Sequence, residues 1–173
     1  MSKLIILDAN VIIIAHKFGF WKQLVSYYKI HIPATIIGES KYFEDSFGQK
    51  ININLLNELK NNSIIKIEAS VNEMQLLYKN FKTNFIESID DGEKEALAIL
   101  YSNRQTDLFF CTGDMRAICA LAIIGLSENG ISLEKVLGKA GINNKNIAKH
   151  FSEQAFKNHL GRGFQEKDLH KKK

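Results

Sequence analysis

The sequence is poor in the residues that build the most easily recognised sites. Its 173 residues include two cysteines, one proline and one tryptophan. Cys111 and Cys119 lie in strongly apolar stretches and match neither a zinc-ligand spacing nor a disulfide framework. We therefore expect two free thiols in the core, which favours a reducing cytoplasm as the location of the protein.

Long hydrophobic runs and common catalytic motifs are missing too. The longest nearly unbroken apolar run, residues 117–126, has ten residues, about half of the ~20 that span a bilayer. We therefore expect no membrane partner. The sequence has no internal repeat, no glycine-rich phosphate loop and no Gly-x-Ser-x-Gly nucleophile turn. Acidic residues therefore remain the main candidates for a catalytic or metal-binding site.

The charge of the chain is unevenly distributed. Residues 145–173 contain eight Lys/Arg and three Asp/Glu, whereas residues 1–144 contain 15 and 16, giving net charges of +5 and −1. A basic segment on a near-neutral body favours attraction to a polyanion, although terminal lysines can also simply keep a helix soluble. We divide the chain into a domain, 1–144, and a basic C-terminal helix and tail, 145–173.

Hydrophobic periodicity predicts strands that alternate with helices. Short apolar runs predict strands over residues 3–7, 30–32, 63–67 and 107–111. Apolar residues at three- and four-residue spacing predict helices over residues 10–28, 33 to about 47, 51–61, 71–81, 91–102, 115–125, 132–137 and 146–160. This alternation is typical of a three-layer α/β/α domain with a mostly parallel sheet of four or five strands, the fifth being left open.

Acidic residues occur where such a sheet would bring them to one edge. They are Asp8 after the first strand, Glu39 in the helix after the second, Glu93 and Glu95 at the start of the helix over 91–102, and Asp114 after the strand over 107–111. Ligands of open α/β sheets bind outside the carboxyl ends of the strands, where the strand order reverses. Taken singly, each carboxylate fits a helix cap or a surface charge. Together they favour a site for Mg²⁺ or Mn²⁺, which prefer oxygen ligands.

Four motifs resemble those of PIN domains. In chain order they are Leu7-Asp8-Ala9-Asn10, Pro33-Ala34-Thr35 leading to Gly38-Glu39, Asp91-Gly92-Glu93-Lys94-Glu95, and Thr112-Gly113-Asp114. The resemblance covers roughly residues 3–125 and implies a metal-dependent ribonuclease that uses Mg²⁺ or Mn²⁺ and acts on RNA. Many PIN domains are the toxin half of bacterial toxin–antitoxin pairs. We therefore also expect an antitoxin protein as a partner, and a homo-oligomer of this chain in the form of a dimer.

The resemblance also carries roles to single residues. Catalytic and metal-binding roles carry over to Asp8, Glu39 and Asp114, with Asn10 and Thr112 as supporting polar groups. The third acidic motif leaves a choice between Glu93 and Glu95. Glu95 is favoured as the catalytic residue because it directly precedes the apolar run 96–98, and Glu93 stays a candidate metal ligand. Arg116 is a candidate phosphate contact, or the partner in a salt bridge on an exposed helix face.

Two other functions stay open at this point. A PIN-like module could bind RNA or protein without cutting. A magnesium phosphatase could use Asp8 as a nucleophile, but that chemistry usually wants a second aspartate two residues on, where this chain has Asn10. The chain also departs from the family pattern, because residues 127–140 are predicted as loop and helix where the family has a strand.

Overall fold

The computed structural model of this protein describes residues 3–104, 107–143 and 146–172, in which strands and helices alternate. The strands are β1 (Leu4–Leu7), β2 (Lys29–Pro33), β3 (Tyr42–Glu44), β4 (Lys50–Asn52), β5 (Ile65–Ile67), β6 (Leu108–Cys111) and β7 (Gly130–Ile131). The helices are α1 (Ala9–Lys17), α2 (Trp21–Tyr27), α3 (Ala34–Glu39), α4 (Leu55–Lys60), α5 (Val71–Lys79), α6 (Thr83–Ile86), α7 (Asp91–Tyr101), α8 (Met115–Ile123), α9 (Leu133–Lys139), α10 (Glu153–Gln165) and α11 (Lys167–His170). Single 3-10 turns cover Ser127–Asn129 and Lys149–Phe151.

The central sheet of the described chain has five parallel strands in the order β5-β2-β1-β6-β7. The chain passes from β1 to β2 and β5 on one side and then returns to β6 and β7 on the other. The strand order therefore reverses between β1 and β6, which is where open α/β sheets bind ligands. The predicted α/β class with a parallel sheet of four or five strands is confirmed. The strand number is five.

Alternating side chains of the sheet form two cores. Ile5 and Leu7 of β1 pack into a cluster with α1 and α2, whereas Ile6 between them packs into a second cluster with α7 and α8. This follows from the two-residue period of a strand, whose successive side chains point to opposite faces. Both faces of the sheet are covered by helices, as the continuous apolar sequence of β1 predicts.

The predicted helix over residues 10–28 is two helices. A Schellman motif ends α1: the Gly19 amide donates to the His16 carbonyl at 3.2 Å and the Phe20 amide to the Ala15 carbonyl at 3.0 Å. Gly19 has a φ of +75°, a conformation that favours glycine. The apolar spacing continues on both sides of this turn, so periodicity alone did not reveal the break.

The predicted helix from residue 33 to about 47 is also wrong beyond residue 39. Pro33 is the last residue of β2 and α3 ends at Glu39, after which β3 and β4 form an antiparallel hairpin. The Asp45 carboxylate accepts from the backbone amides of Phe47 and Gln49, each at 2.9 Å, and so holds the hairpin turn. The predicted helix over 51–61 is shortened to α4 because its first residues belong to β4.

The C-terminal part of the chain differs from its prediction as well. Residues 127–140 contain β7, a two-residue strand beside β6 that is too short to produce a periodic signal. The predicted helix over 146–160 is a 3-10 turn followed by α10, because Ser152 caps α10 by accepting from the Ala155 amide at 3.1 Å. The short helix predicted over 132–137 is present as α9.

The basic C-terminal segment packs closely on the domain. A Cβ added to Gly163 of α10 would lie 2.6 Å from the Cys119 carbonyl oxygen of α8, so the two helices are in backbone contact. After α11 the chain returns to the loop that precedes α6, where the Lys82 amide donates to the His170 carbonyl at 2.8 Å. The boundary predicted between 144 and 145 lies outside the described residues, as does Lys173.

Two expectations from composition can be compared with the structure. Cys111 and Cys119 are free and buried, as predicted. Within the described ranges, none of the helices has the length and hydrophobicity needed to cross a bilayer.

Candidate active site

The carboxyl ends of β1 and β6 bring Asp8 and Thr112 together. Leu7 is in register with Cys111, and the Asp8 amide donates to the Cys111 carbonyl at 3.1 Å. The Thr112 hydroxyl lies 3.2 Å from Asp8 Oδ2 and accepts from the Asp114 amide at 3.0 Å. The register of β1 and β6 therefore places Asp8 beside Thr112.

Glu93 reaches the same place from α7. Its Oε1 lies 3.2 Å from the Thr112 hydroxyl, which therefore bridges the carboxylates of Asp8 and Glu93. A hydroxyl has one proton and so donates to one of these oxygens at a time. Glu93 Oε2 is buried and has no hydrogen-bond partner among the described residues. An unpartnered buried carboxylate oxygen is costly, which makes it a candidate ligand for a cation or a bound water.

Asp114 lies at the edge of this pair. It is the N-cap of α8, and its Oδ1 accepts from the Ala117 amide at 2.9 Å. Asp114 therefore has the helix-capping role that an acidic residue at such a position can have. Its charge still acts on Asp8 and Glu93, since it contributes to raising the pKa of each.

Burial and crowding raise the pKa of both buried carboxyls. Burial is the main cause for Asp8, whose pKa rises to about 6, with the Asp114 charge adding to it and the Thr112 hydroxyl opposing it. The pKa of Glu93 rises to about 9, first through burial and then through the charges of Asp8 and Asp114. At neutral pH Glu93 is therefore protonated unless a cation offsets the negative charge of its neighbours.

Glu95, two residues further along α7, faces different partners. Its two carboxylate oxygens accept from the backbone amides of Thr35 at 3.0 Å and Ala69 at 3.1 Å. It thereby joins the start of α3 to the loop after β5. The sequence favoured Glu95 over Glu93 as the third carboxylate, whereas the structure places Glu93 beside Asp8. Glu95 directly precedes the apolar run 96–98 and Glu93 precedes Lys94, but this sequence signal does not show which of the two carboxylates faces Thr112.

Glu39 lies against the first turn of α7. A Cβ added to Gly92 would lie 2.9 Å from Glu39 Oε2, so the carboxylate packs directly on this glycine. Burial raises the pKa of Glu39, and the charges of Asp90, Asp91 and Glu95 act in the same direction. The structure therefore brings Glu39 next to the helix turn that carries Glu93, while Asp8, Glu93 and Asp114 form the central group.

An open cleft of about 120 Å³ lies beside Asp8 and Asp114. It is lined by Asp8, Asn10, Gly113, Asp114, His150 and Phe151. The predicted supporting residue Asn10 is exposed at this cleft. His150 and Phe151 come from the C-terminal segment and were missed, because their position depends on long-range packing that no local pattern shows. Arg116 lies over the Phe85 ring, with its guanidinium carbon 5.8 Å from the ring centre, and its phosphate contact stays a prediction.

The donor chemistry of the central group suits a hard divalent cation, but its arrangement is not that of a ready-made site. Asp8, Glu93 and Asp114 offer only carboxylate oxygens, which Mg²⁺ and Mn²⁺ prefer. In the part of the chain that the structure describes, no three His, Cys, Asp or Glu side chains are placed so that they could hold a metal ion as they stand. The Thr112 bridge uses one oxygen of Asp8 and one of Glu93, and the capping bond uses one oxygen of Asp114, while Glu93 Oε2 has no hydrogen-bond partner among the described residues.

No family model matches this chain, and no curated protein is significantly similar to it. Its function is therefore inferred from the site.

Proposed function

We propose that this protein is a divalent-metal-dependent ribonuclease of the PIN type. The observation that carries the proposal is the Thr112 hydroxyl, which joins Asp8 and Glu93 at the strand-order reversal beside Asp114. Two buried carboxyls with raised pKa values are costly to keep together. Such a cost is expected where a cation or a reacting group supplies the opposing charge.

Asp8, Glu93 and Asp114 would hold Mg²⁺ or Mn²⁺. When bound, the ion supplies a Lewis acid that activates water and offsets negative charge on a phosphodiester. Glu93 would hold the ion as a carboxylate, without the proton that its raised pKa otherwise keeps on it. Thr112 keeps the two buried carboxylates oriented from the protein side, and Asn10 offers an amide to the substrate at the rim of the cleft. Glu39 adds negative charge beside the first turn of α7.

The proposal is tested by RNA cleavage in Mg²⁺ or Mn²⁺, with EDTA as the metal-free control. We expect Asp8→Asn and Glu93→Gln each to reduce the rate at least a hundredfold, because each removes a charged oxygen ligand. The control is Asp91→Asn, which alters an exposed acidic residue in the same helix turn. Cleavage that persists in both cluster variants, or in EDTA, would refute the proposal.

A second candidate function is a module that binds RNA or protein without cutting. The absence, in the described residues, of a group already arranged to hold a metal ion favours this alternative. In this case the Thr112 hydroxyl and a protonated Glu93 simply stabilise the sheet edge by hydrogen bonding. The alternative predicts that binding of the partner is the same with and without EDTA, and the same in Glu93→Gln.

Location and partners are further parts of the proposal. The two buried free thiols support a reducing cytoplasm. RNA is the proposed substrate, and the toxin role, with an antitoxin or a second copy of this chain as protein partner, extends the PIN resemblance. The hairpin of β3 and β4 supports a protein partner, because it exposes three large apolar side chains, Tyr42, Phe47 and Ile51, with Phe47 92% exposed. Light scattering of wild type and Phe47→Ser tests whether a homodimer uses this hairpin.

A further inference from the structure

A group of lysines lies at the edge of the sheet away from the cleft. Lys3 immediately precedes β1, five residues before Asp8, and is exposed. Lys139 ends α9, and its ammonium nitrogen lies over the Phe109 ring, 5.8 Å from the ring centre. Phe109 is in register with Ile5 in the first half of β1. The two lysines therefore lie at the amino ends of β1 and β6, whereas the candidate active site lies at the carboxyl ends.

Lys135 adds a third positive charge to this group. It lies one turn before Lys139 on the same face of α9 and is exposed. Burial lowers the pKa of Lys139, and the charges of Lys3 and Lys135 lower it further. The charge of Glu153 opposes this effect. The three ammonium groups are therefore close enough to repel one another, and an anion bound between them would offset the repulsion.

These positive charges are only partly offset by carboxylates. Glu153 lies 3.6 Å from the Lys135 ammonium, and its carboxylate is shared with a lysine of α10 at the same distance. In the described ranges neither Lys3 nor Lys139 forms an ion pair, with Asp107 at the start of β6 or with any other carboxylate. The group therefore keeps a net positive charge, although residues 1–144 as a whole have a net charge of −1.

We propose that Lys3, Lys135 and Lys139, the lysine surface, bind the phosphate backbone of RNA outside the cleft and so hold the part of the substrate that flanks the cleaved bond. This inference rests on the proposed ribonuclease function and adds to it a second contact with the substrate. Lysine ammonium groups bind phosphates as point charges, and such contacts contribute affinity without base selection.

The composition of the lysine surface favours a nucleic acid over a protein partner. Protein interfaces have aromatic or apolar anchors at their centre and are depleted in lysine. The large hydrophobic side chains that are exposed in the described chain include none from β1, β6 or α9, the elements that carry or support the lysines. Nucleic-acid interfaces are more polar and much more positively charged, which matches this surface.

One RNA molecule can reach both the cleft and the lysine surface. Lys3 and Asp8 are five residues apart along β1, or about 17 Å at ~3.3 Å per residue. At a rise of ~3.4 Å per nucleotide, this distance corresponds to about five nucleotides. By the same rise, an RNA of about twenty nucleotides covers both places, whereas one of about three nucleotides occupies the cleft alone.

The test measures binding of the longer RNA by fluorescence anisotropy in EDTA, so that cleavage plays no part. The glutamine double variant combines Lys135→Gln with Lys139→Gln. We expect it to bind more weakly and to reduce the slope of log Kd against log salt concentration by roughly 1.4, at ~0.7 per phosphate contact of a single strand. Lys135→Arg combined with Lys139→Arg should bind like wild type, because arginine keeps the positive charge.

The matched control combines Lys60→Gln with Lys79→Gln, which removes two exposed lysines of α4 and α5. These helices precede and follow β5, the strand at the other end of the sheet. We expect wild-type binding and an unchanged salt dependence. Equal weakening in the control and the glutamine double variant, or an unchanged slope in the latter, would overturn the inference. Binding of polyglutamate in preference to RNA would assign the lysine surface to an acidic protein and overturn it too.

Cleavage in Mg²⁺ or Mn²⁺ separates this inference from the nuclease proposal. The glutamine double variant should raise KM for the longer RNA and leave kcat unchanged, while kcat/KM for the short RNA should stay at the wild-type value. A protein that binds RNA through the lysine surface but cuts none would refute the nuclease and leave the surface standing. A wild-type KM for the longer RNA in the glutamine double variant would refute the surface and leave the nuclease standing.

Discussion

Glu93 and Glu95 lie two positions apart on α7 and have different surroundings. Both Glu95 oxygens accept backbone amides, so its charge is used within the fold. Glu93 shares the Thr112 hydroxyl with Asp8 and leaves one buried oxygen without a described partner. Residues two apart on a helix point in different directions, so the two carboxylates cannot replace one another.

The first prediction concerns Glu95→Gln. The amide nitrogen of glutamine cannot accept from a backbone N–H, so one of the amides of Thr35 and Ala69 loses its acceptor. We expect the free energy of unfolding to fall by about 1–3 kcal/mol, measured by urea denaturation. Metal-dependent cleavage by the folded protein should remain. A stable Glu95→Gln protein without cleavage would instead place Glu95 among the metal ligands.

The second prediction concerns pH and Glu93. Its pKa in the folded protein is about 9, against an ordinary value of 4.5, so the folded state retains a proton that the unfolded chain releases. The free energy of unfolding of metal-free protein should therefore fall as pH rises from about 4.5 to about 9.

Glu93→Gln isolates this effect because glutamine does not titrate. Across that window the wild type should lose more than about 1.4 kcal/mol, the equivalent of one pKa unit, relative to Glu93→Gln. Chemical denaturation at several pH values in EDTA measures the difference. Parallel pH profiles of the two proteins would show that the pKa of Glu93 is not raised in the folded state.

At the scale of the elements, the sequence predicts the part of the candidate site that lies at the carboxyl ends of strands. β1 and β6 were recognised from apolar runs, and their register brings Asp8 to Thr112. Which of Glu93 and Glu95 lies beside Thr112 depends on how α7 is rotated against the sheet, and the spacing of apolar residues does not fix that rotation within one turn. His150 reaches the cleft only because the 3-10 turn packs on Gly113, a contact between distant parts of the chain.

The third prediction tests that contact through Gly113→Ala. A Cβ at residue 113 would collide with the buried Phe151 ring and displace the turn. We expect a loss of about 1–3 kcal/mol in the free energy of unfolding, measured by urea denaturation. Gly138→Ala is the control, because its Cβ would meet nothing within 4 Å in α9 and alanine favours a helix. Equal stability of the two variants would contradict the packing described.

At the scale of the whole molecule, the C-terminal segment is part of the domain. α10 packs along α8, the Cys119 thiol donates to the His159 carbonyl at 3.3 Å, and the chain then returns to the loop before α6. The segment carries the basic excess of the sequence and also supplies the wall of the cleft. The predicted division between residues 144 and 145 stays a prediction, and the described part of the segment packs on α8.

The fourth prediction compares two glycines of α10. A Cβ at Gly163 would lie 2.6 Å from the Cys119 carbonyl oxygen, whereas a Cβ at Gly161 would meet nothing within 4 Å. We expect Gly163→Ala to reduce the free energy of unfolding by about 1–3 kcal/mol and Gly161→Ala to increase it by up to about 1 kcal/mol. Thermal and urea denaturation measure both. A single unfolding transition that shifts in Gly163→Ala would confirm that the segment unfolds with the domain.

The most direct measurement of the central claim is calorimetric titration of Mn²⁺ into the protein at neutral pH, repeated in buffers with different ionisation enthalpies. We expect binding accompanied by release of about one proton per ion, because Glu93, with a pKa of about 9, must lose its proton to become a ligand. Asp8→Asn should weaken binding, and Glu93→Gln should abolish the proton release. Absence of Mn²⁺ binding, or binding that both variants leave unchanged, would contradict a metal-dependent site at these carboxylates.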